Sequence, residues 1–277
     1  MRTFREVDVF SAEPLLGNPV AVVHDADGVT DDEMARFARW TNLSETTFLL
    51  RPTQPGADYR LRIWTPGGEL PFAGHPTLGS CHAWLEAGGA PARDDVVVQE
   101  CGAGLVTIRR GAGGQGRSAF AAPPLMRSGP VDEADLARIA TALRLDRSDL
   151  LESAWIDNGP GWVGVLLRDA DAVLALEPDW AAFGDLKIGV VGEYPDGDVA
   201  VEVRAFCPGY GMAEDPVTGS LNAGIAQWLA GGRLPTSYVS SQGTVLGRRG
   251  RVHVDVEGDT VWVGGDALTT ITGEVAP

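Results

Sequence analysis

The chain carries one short pattern twice, and this doubling constrains its architecture more than any other feature. His75-Pro76-Thr77-Leu78-Gly79-Ser80 and Asp215-Pro216-Val217-Thr218-Gly219-Ser220 both read x-P-x-x-G-S. The copies lie 140 residues apart, about half of the 277-residue length. Each runs into an amphipathic segment with a Trp-Leu pair near its end, Trp84-Leu85 and Trp228-Leu229. Proline is tolerated in a first helical turn, where its missing N–H would have no partner. The Gly-Ser pair then offers bare backbone N–H groups, and a helix start attracts anions. The pattern predicts helices over 76–87 and 216–230, in two half-molecules facing each other across a small-molecule site. A chance match between two ordinary helix starts is the competing reading.

The rest of the chain fits two cycles of similar content. Thr30-Asp31-Asp32-Glu33 is a capping box opening a helix with Met34, Phe37 and Ala38 on one face, ending near Asn42. A further helix is predicted over 132–143, with Leu136, Ile139, Ala140 and Leu143 inward. Alternating or β-branched runs predict strands at 7–10, 20–23, 46–50, 59–64, 96–99, 105–109 and 118–121. A second series falls at 162–167, 187–191, 199–206, 252–256, 261–263 and 268–272. Residues 112–116 read as a flexible hairpin tip. The prolines from Pro123 to Pro130 mark the boundary between halves, 1–125 and 126–277, with the last strand free to cross back. The class is α+β with antiparallel hairpins, lacking the strand-helix alternation of a doubly wound sheet. No low-complexity linker separates the halves, so a tight interface is expected.

Composition narrows the partners. A net charge of −16 disfavours nucleic acid and anionic membranes. The first residues show no apolar signal core, and no apolar run reaches membrane-span length. Cys81, Cys101 and Cys207 are scattered and odd in number, which fits a reducing cytoplasm better than a disulfide framework. The four His show no metal-ligand spacing. No metal site is expected from the sequence pattern.

A few polar residues stand where chemistry is possible. Glu45, in Asn42-Leu43-Ser44-Glu45-Thr46-Thr47, is a lone acid between a helix end and an apolar strand. Buried there, it would have the raised pKa of a general acid/base; exposed, it is a turn glutamate or a cap. His75 at a helix start should stay neutral, as a hydrogen-bonding group or proton relay, or simply cap the helix. Gly74 permits close backbone approach. Asp215 is an excellent N-cap, or alternatively holds a substrate amine or orients His75. Gly219 and Ser220 are candidates for gripping a carboxylate. Glu214 reads as solvated. Asn18, Glu69, Gln242-Gly243 and Arg248-Arg249 are second-line candidates. Ser220 lies outside a G-x-S-x-G elbow, which weakens a serine hydrolase reading.

Together these segments resemble the PhzF family of phenazine-biosynthesis isomerases and their relatives. The resemblance runs nearly end to end: Asp8-x-Phe10, Gly17-Asn18-Pro19-x-Ala21-Val22, Asn42-Leu43-Ser44-Glu45-Thr46, Phe72-Ala73-Gly74-His75-Pro76-Thr77, Glu214-Asp215-Pro216-Val217-Thr218-Gly219-Ser220 and Gln242-Gly243. It implies a diaminopimelate-epimerase-like fold, each half wrapping a curved sheet around a central helix. It also implies a cofactor-independent, metal-free homodimer that moves a proton within a small carboxylate-bearing substrate such as trans-2,3-dihydro-3-hydroxyanthranilate. Glu45 matches the acid/base, His75, Asp215 and Ser220 the residues that position substrate and assist transfer, and Gly74 a backbone contact. Pro216-Val217 and Leu221-Asn222 depart from the phenazine-making members and leave the substrate open. Gly74 and Pro216 stand where the racemase branch carries paired cysteines, which argues against a two-thiol mechanism. The alternatives are an epimerase with Glu45 and Asp215 as opposed bases, a serine hydrolase, and a binding protein without activity.

Overall fold

Two parallel crossovers, each made through a helix, organise each of the two compact units into which the chain divides. The structure is a computed structural model describing residues 1–111, 116–210 and 212–277. Most of the expected hairpin tip, 112–115, lies outside the described residues. Unit 1 comprises Met1–Ala121 with Gly264–Pro277, and unit 2 comprises Ala122–Val263.

Unit 1 runs β1 (Arg2–Val9), β2 (Asn18–Val23), α1 (Asp31–Thr41), β3 (Glu45–Leu50), β4 (Tyr59–Thr65), β5 (Gly68–Leu70), α2 (Gly74–Glu86), β6 (Val96–Cys101), β7 (Gly104–Arg109) and β8 (Ser118–Ala121). Helix α1 carries the chain from β2 to the parallel β3. Helix α2 carries it from the β4–β5 hairpin to β6, which is parallel to β4. The remaining pairings of this sheet are antiparallel.

Unit 2 repeats the plan with β9 (Arg127–Gly129), α3 (Glu133–Leu143), β10 (Glu152–Asp157), β11 (Trp162–Leu166), α4 (Ala170–Leu174), β12 (Lys187–Glu193), β13 (Val201–Phe206), β14 (Glu214–Asp215), α5 (Gly219–Leu229), β15 (Ser237–Gln242), β16 (Gly250–Glu257) and β17 (Thr260–Gly265). Here α4 joins the parallel pair β11 and β12, and α5 joins the parallel pair β13 and β15. The last strand, β18 (Ala267–Val275), returns to unit 1 and pairs antiparallel with β1.

Each sheet curves around its second crossover helix. Helix α2 touches β1, β2, β3, β4, β6, β8 and β18; α5 touches β10, β11 and β16. Small residues make the close approach possible. A Cβ on Gly79 of α2 would strike Val20 and come 2.9 Å from Val9 Cγ2. In unit 2 a Cβ on Gly189 of β12 would strike Leu221 of α5. Outer helices cover the opposite faces. Met34, Phe37 and Ala38 of α1 pack on Val23, Phe48 and Trp64, while Leu136, Ile139 and Leu143 of α3 pack on Val163, Val165 and Ile188. The Thr30 capping box is formed, the Thr30 and Glu33 side chains each accepting from the other's backbone N–H.

The repeated motif is placed differently from its sequence reading. Helix α2 begins at Gly74, ahead of Pro76, whereas α5 begins at Gly219, after Pro216. Gly79 and Ser80 therefore sit inside α2 and present no free N–H groups. Ser80 Oγ instead donates to Thr47 Oγ1 at 2.8 Å, in the core. The starts of these two helices are 145 residues apart, Gly74 to Gly219, five more than the motif offset. Strands β5, β9, β10, β14 and β15 and helix α4 were not anticipated; β5, β9, β14 and α4 span five residues or fewer and carry little periodic signal. No helix of the described residues is long and apolar enough to cross a membrane.

Candidate active site

The parallel pairing of β2 and β3 sets Glu45 opposite Val20, beside the Gly17-Asn18-Pro19 turn. Glu45 is the first residue of β3. The preceding turn is fixed by Asn42 in the left-handed region (φ 54°), whose N–H donates to Ala38 O at 3.2 Å. A bond of 2.8 Å between the Thr41 and Thr46 hydroxyls clasps the two ends of that turn. Only 15% of the Glu45 side chain is exposed, and its Oε2 lies 3.5 Å from His75 Nε2.

His75 is the second residue of α2. Ala73 caps this helix without a side-chain bond, so the N–H groups of Gly74 and His75 have no partner within the helix. The buried Gln99 and Tyr59 anchor the same turn: Tyr59 Oη donates to Gln99 Oε1 at 3.0 Å, and Gln99 Nε2 donates to Thr77 Oγ1 at 3.0 Å. His75 is buried, and burial pushes its pKa down to about 3, opposed by the nearby Pro19 carbonyl. The imidazole is therefore neutral at pH 7. The helix start was the expected cause; the cause found is loss of solvent. Nδ1 of the ring lies 3.4 Å from Asn18 Nδ2.

Asp215, Gly219 and Ser220 gather in unit 2. Asp215 is not the N-cap of α5; that position is Thr218. It belongs instead to β14 and pairs with Ala205 of β13. Thr218 Oγ1 donates to Asp215 Oδ2 at 2.5 Å. Gln242 spans this turn. Its Nε2 donates to Asp215 O (3.1 Å) and Thr218 Oγ1 (2.9 Å), and its Oε1 accepts from Thr218 N and Asn222 Nδ2, both at 2.9 Å. Ser220 Oγ accepts from Trp162 Nε1 at 3.0 Å, and its carbonyl accepts from Asn158 Nδ2 at 2.9 Å. All of these side chains are buried, so each bond formed avoids the cost of an unmet polar group.

The other candidates separate cleanly. Glu214 is not solvated: it is buried and forms a two-pronged ion pair with Arg204, 2.8 Å at each oxygen. Arg204 also donates to Val173 O and Leu176 O, so the pair is structural. Glu69 is held by Arg62 on the exposed side of its hairpin. Arg249 is exposed. The three cysteines are buried and form no disulfide. Among the described residues no three His, Cys, Asp or Glu side chains converge on a metal position. The sequence reading missed Asn158, Trp162, Thr218 and Asn222. Thr218 stood inside the repeated motif without a role of its own, and Asn222 was noted only as a departure from the family pattern.

Comparison with known proteins follows this geometry. A family model described as phenazine biosynthesis-like protein (PhzC-PhzF) matches residues 7–273. The trans-2,3-dihydro-3-hydroxyanthranilate isomerase of Pseudomonas aeruginosa is 37% identical, over 93% of this chain and 91% of its own length. Antisense-enhancing sequence 1 of Schizosaccharomyces pombe is 38% identical over 98% of both chains. The crystal structure of a Bacillus anthracis PhzF-family protein superposes with a TM-score of 0.84 at 25% identity, covering 100% of this chain and 99% of its own. A hydroxyproline epimerase from Agrobacterium vitis shares the fold with a TM-score of 0.60 at 16% identity, covering 99% and 93%. The fold is thus the α+β fold common to PhzF proteins and proline-type epimerases.

Proposed function

The chain belongs to the PhzC-PhzF family of phenazine biosynthesis-like proteins and is an isomerase, and on that footing we propose that it moves a proton between two carbons of one small substrate. The substrate class is a carboxylate-bearing, cyclic, amino-acid-like molecule of the trans-2,3-dihydro-3-hydroxyanthranilate type. Glu45 is the general acid/base. Its carboxylate takes a proton from an acidified carbon, the electron pair shifts along the conjugated system, and the same carboxyl returns the proton to a second carbon. The step is redox-neutral and consumes no co-reactant.

The observation that carries this reading is the pair formed by Glu45 and His75. A largely buried carboxylate lies 3.5 Å from a buried, neutral imidazole. A site that is mostly dry strengthens electrostatic interactions and keeps the abstracted proton from exchanging with bulk water. His75 assists by facing the carboxylate. Asp215, Gly219, Ser220 and the Gly74 backbone are assigned to holding substrate, on the resemblance to the family.

Proton NMR in D₂O with trans-2,3-dihydro-3-hydroxyanthranilate and a panel of cyclic amino acids tests the assignment. Glu45→Gln should lose about 10²–10⁴ in rate, the usual contribution of one acid/base group. Turnover near the wild-type rate in that variant removes the proposal. Deuterium entering a single stereocentre with no shift of a double bond would replace it with epimerisation by Glu45 and Asp215.

A further inference from the structure

One side chain beside the Glu45–His75 pair has no part in the proposed reaction, yet it is built in with care. Asn18 opens β2 and is fully buried. Its Nδ2 lies 3.4 Å from His75 Nδ1, across 57 residues of chain. Its Oδ1 accepts a hydrogen bond from Ser44 Oγ at 3.3 Å. The two ends of an amide are not equivalent, since the oxygen accepts and the nitrogen donates. With the Ser44 hydroxyl donating to its oxygen, Asn18 turns its N–H toward the imidazole.

A neutral imidazole has one N–H and one bare nitrogen, and the bond made at one nitrogen decides which is which. A donor at Nδ1 requires that nitrogen to be bare. The ring proton then sits on Nε2, which is the nitrogen facing Glu45 Oε2. We propose that Asn18 is a positioning residue that holds His75 in the Nε2–H tautomer and so aims an N–H, rather than a lone pair, at the Glu45 carboxylate. The opposite tautomer would set lone pairs against a group that only accepts.

The backbone that carries Asn18 is itself fixed. The buried Asp8 carboxylate accepts from the Leu16 N–H at 3.0 Å and from the Gly17 N–H at 3.1 Å. A Cβ at Gly17 would strike the Val9 carbonyl and come 2.9 Å from Asp8 Oδ1, so this turn closes tightly on β1. Asn18 then pairs with Val9 in the β1–β2 ladder. An opposing influence is present in the Pro19 carbonyl, an acceptor that draws a ring N–H.

This inference takes its mechanistic meaning from the acid/base reading of Glu45, but its test needs no substrate. The full chain is labelled with [¹⁵N]histidine, and two-bond ¹⁵N–¹H correlation spectra report the tautomer of each ring. His75→Gln identifies the His75 signals among the four histidines. The wild type should show Nε2–H at His75. Asn18→Leu keeps the branching at Cγ and removes the donor; it should move the tautomer ratio toward Nδ1–H by about fivefold or more, the worth of one net hydrogen bond. Asn18→Asp, which can only accept when ionised, should favour Nδ1–H. Unchanged signals from His24, His82 and His253 report an intact fold in either variant.

A wild-type ring carrying its proton on Nδ1 overturns the proposal. So do folded variants whose His75 signals stay as in the wild type. If neither variant folds, the wild-type spectrum alone decides. Full activity of Glu45→Gln would sink the acid/base assignment and leave the tautomer result standing. A wrong tautomer would leave Glu45 its role.

Discussion

At the scale of single residues, burial controls the ionisation of the histidines. Loss of solvent takes His75 down to about 3, and loss of solvent with the neighbouring Arg5 takes His24 down to about 4. An exposed histidine titrates near 6.5. The unfolded chain therefore binds protons at these two positions before the native chain does. Their contribution to stability is complete above about pH 6.5 and is lost as pH falls toward about 4 and then about 3. Urea unfolding at pH 7, 5.5 and 4.5 should show the midpoint falling across this window. His24→Gln should flatten the fall; an unaltered slope would remove His24 from it. The neutrality of His75 was legible in Gly74-His75-Pro76, but its main cause was not, because solvent exclusion is a property of surrounding chain. Asp215 shows the converse. Asp and Thr are both good caps, and only the pairing of β14 with β13 takes Asp215 away from the helix and leaves Thr218 as cap.

At the scale of elements, helix propensity and close packing compete. Alanine inside a helix is favoured over glycine by roughly 1 kcal/mol. At Gly79 that gain meets the γ-methyls of Val20 and Val9, stiff side chains of two core strands. Overpacking of this kind costs about 1–3 kcal/mol. Gly79→Ala should therefore destabilise, with a lower urea midpoint; stabilisation would show that α2 shifts freely on its sheet. Removing the Thr30 cap is the simpler case, since its partners are exposed: Thr30→Ala should cost about 1 kcal/mol in the same assay, and no change would place the cap outside the cooperative unit. The cap was readable because it is a contact within four residues. The seat of α2 was not. In sequence Gly79 is one half of a repeated Gly-Ser, and the match drew attention to anion binding, whereas the residue serves contact with Val20 and Val9, 59 and 70 residues earlier in the chain.

At the scale of the whole molecule, connectivity decides what each unit is made of. Strand β18 pairs with β1 along nearly its whole length, from Arg2 with Val275 to Val9 with Ala267. Thr269 adds a bond of 2.8 Å to Glu86 at the end of α2. A chain ending at Val263 should lose protection from hydrogen exchange in β1 and β2, while β10 to β13 keep theirs. Equal loss in both units would show that they do not unfold separately. Unit 2 begins at Ala122, whereas the sequence expectation set the boundary at 125/126; the return of the last strand was open in the sequence.

The division between what sequence and tertiary structure determine follows the range of the forces. The longer helices, most of the strands, the capping box and the two-cycle plan rest on periodicity and on bonds between residues a few places apart, and the amino-acid order alone specified them. Which polar groups meet rested on the tertiary structure. Asn18 reaches His75 across 57 residues, and Trp162 and Asn158 reach Ser220 across 58 and 62, because parallel crossovers bring remote strand ends beside helix starts. No local pattern encodes such meetings. Dry surroundings, which decide the charge of each group, exist only once the sheets have closed on their helices.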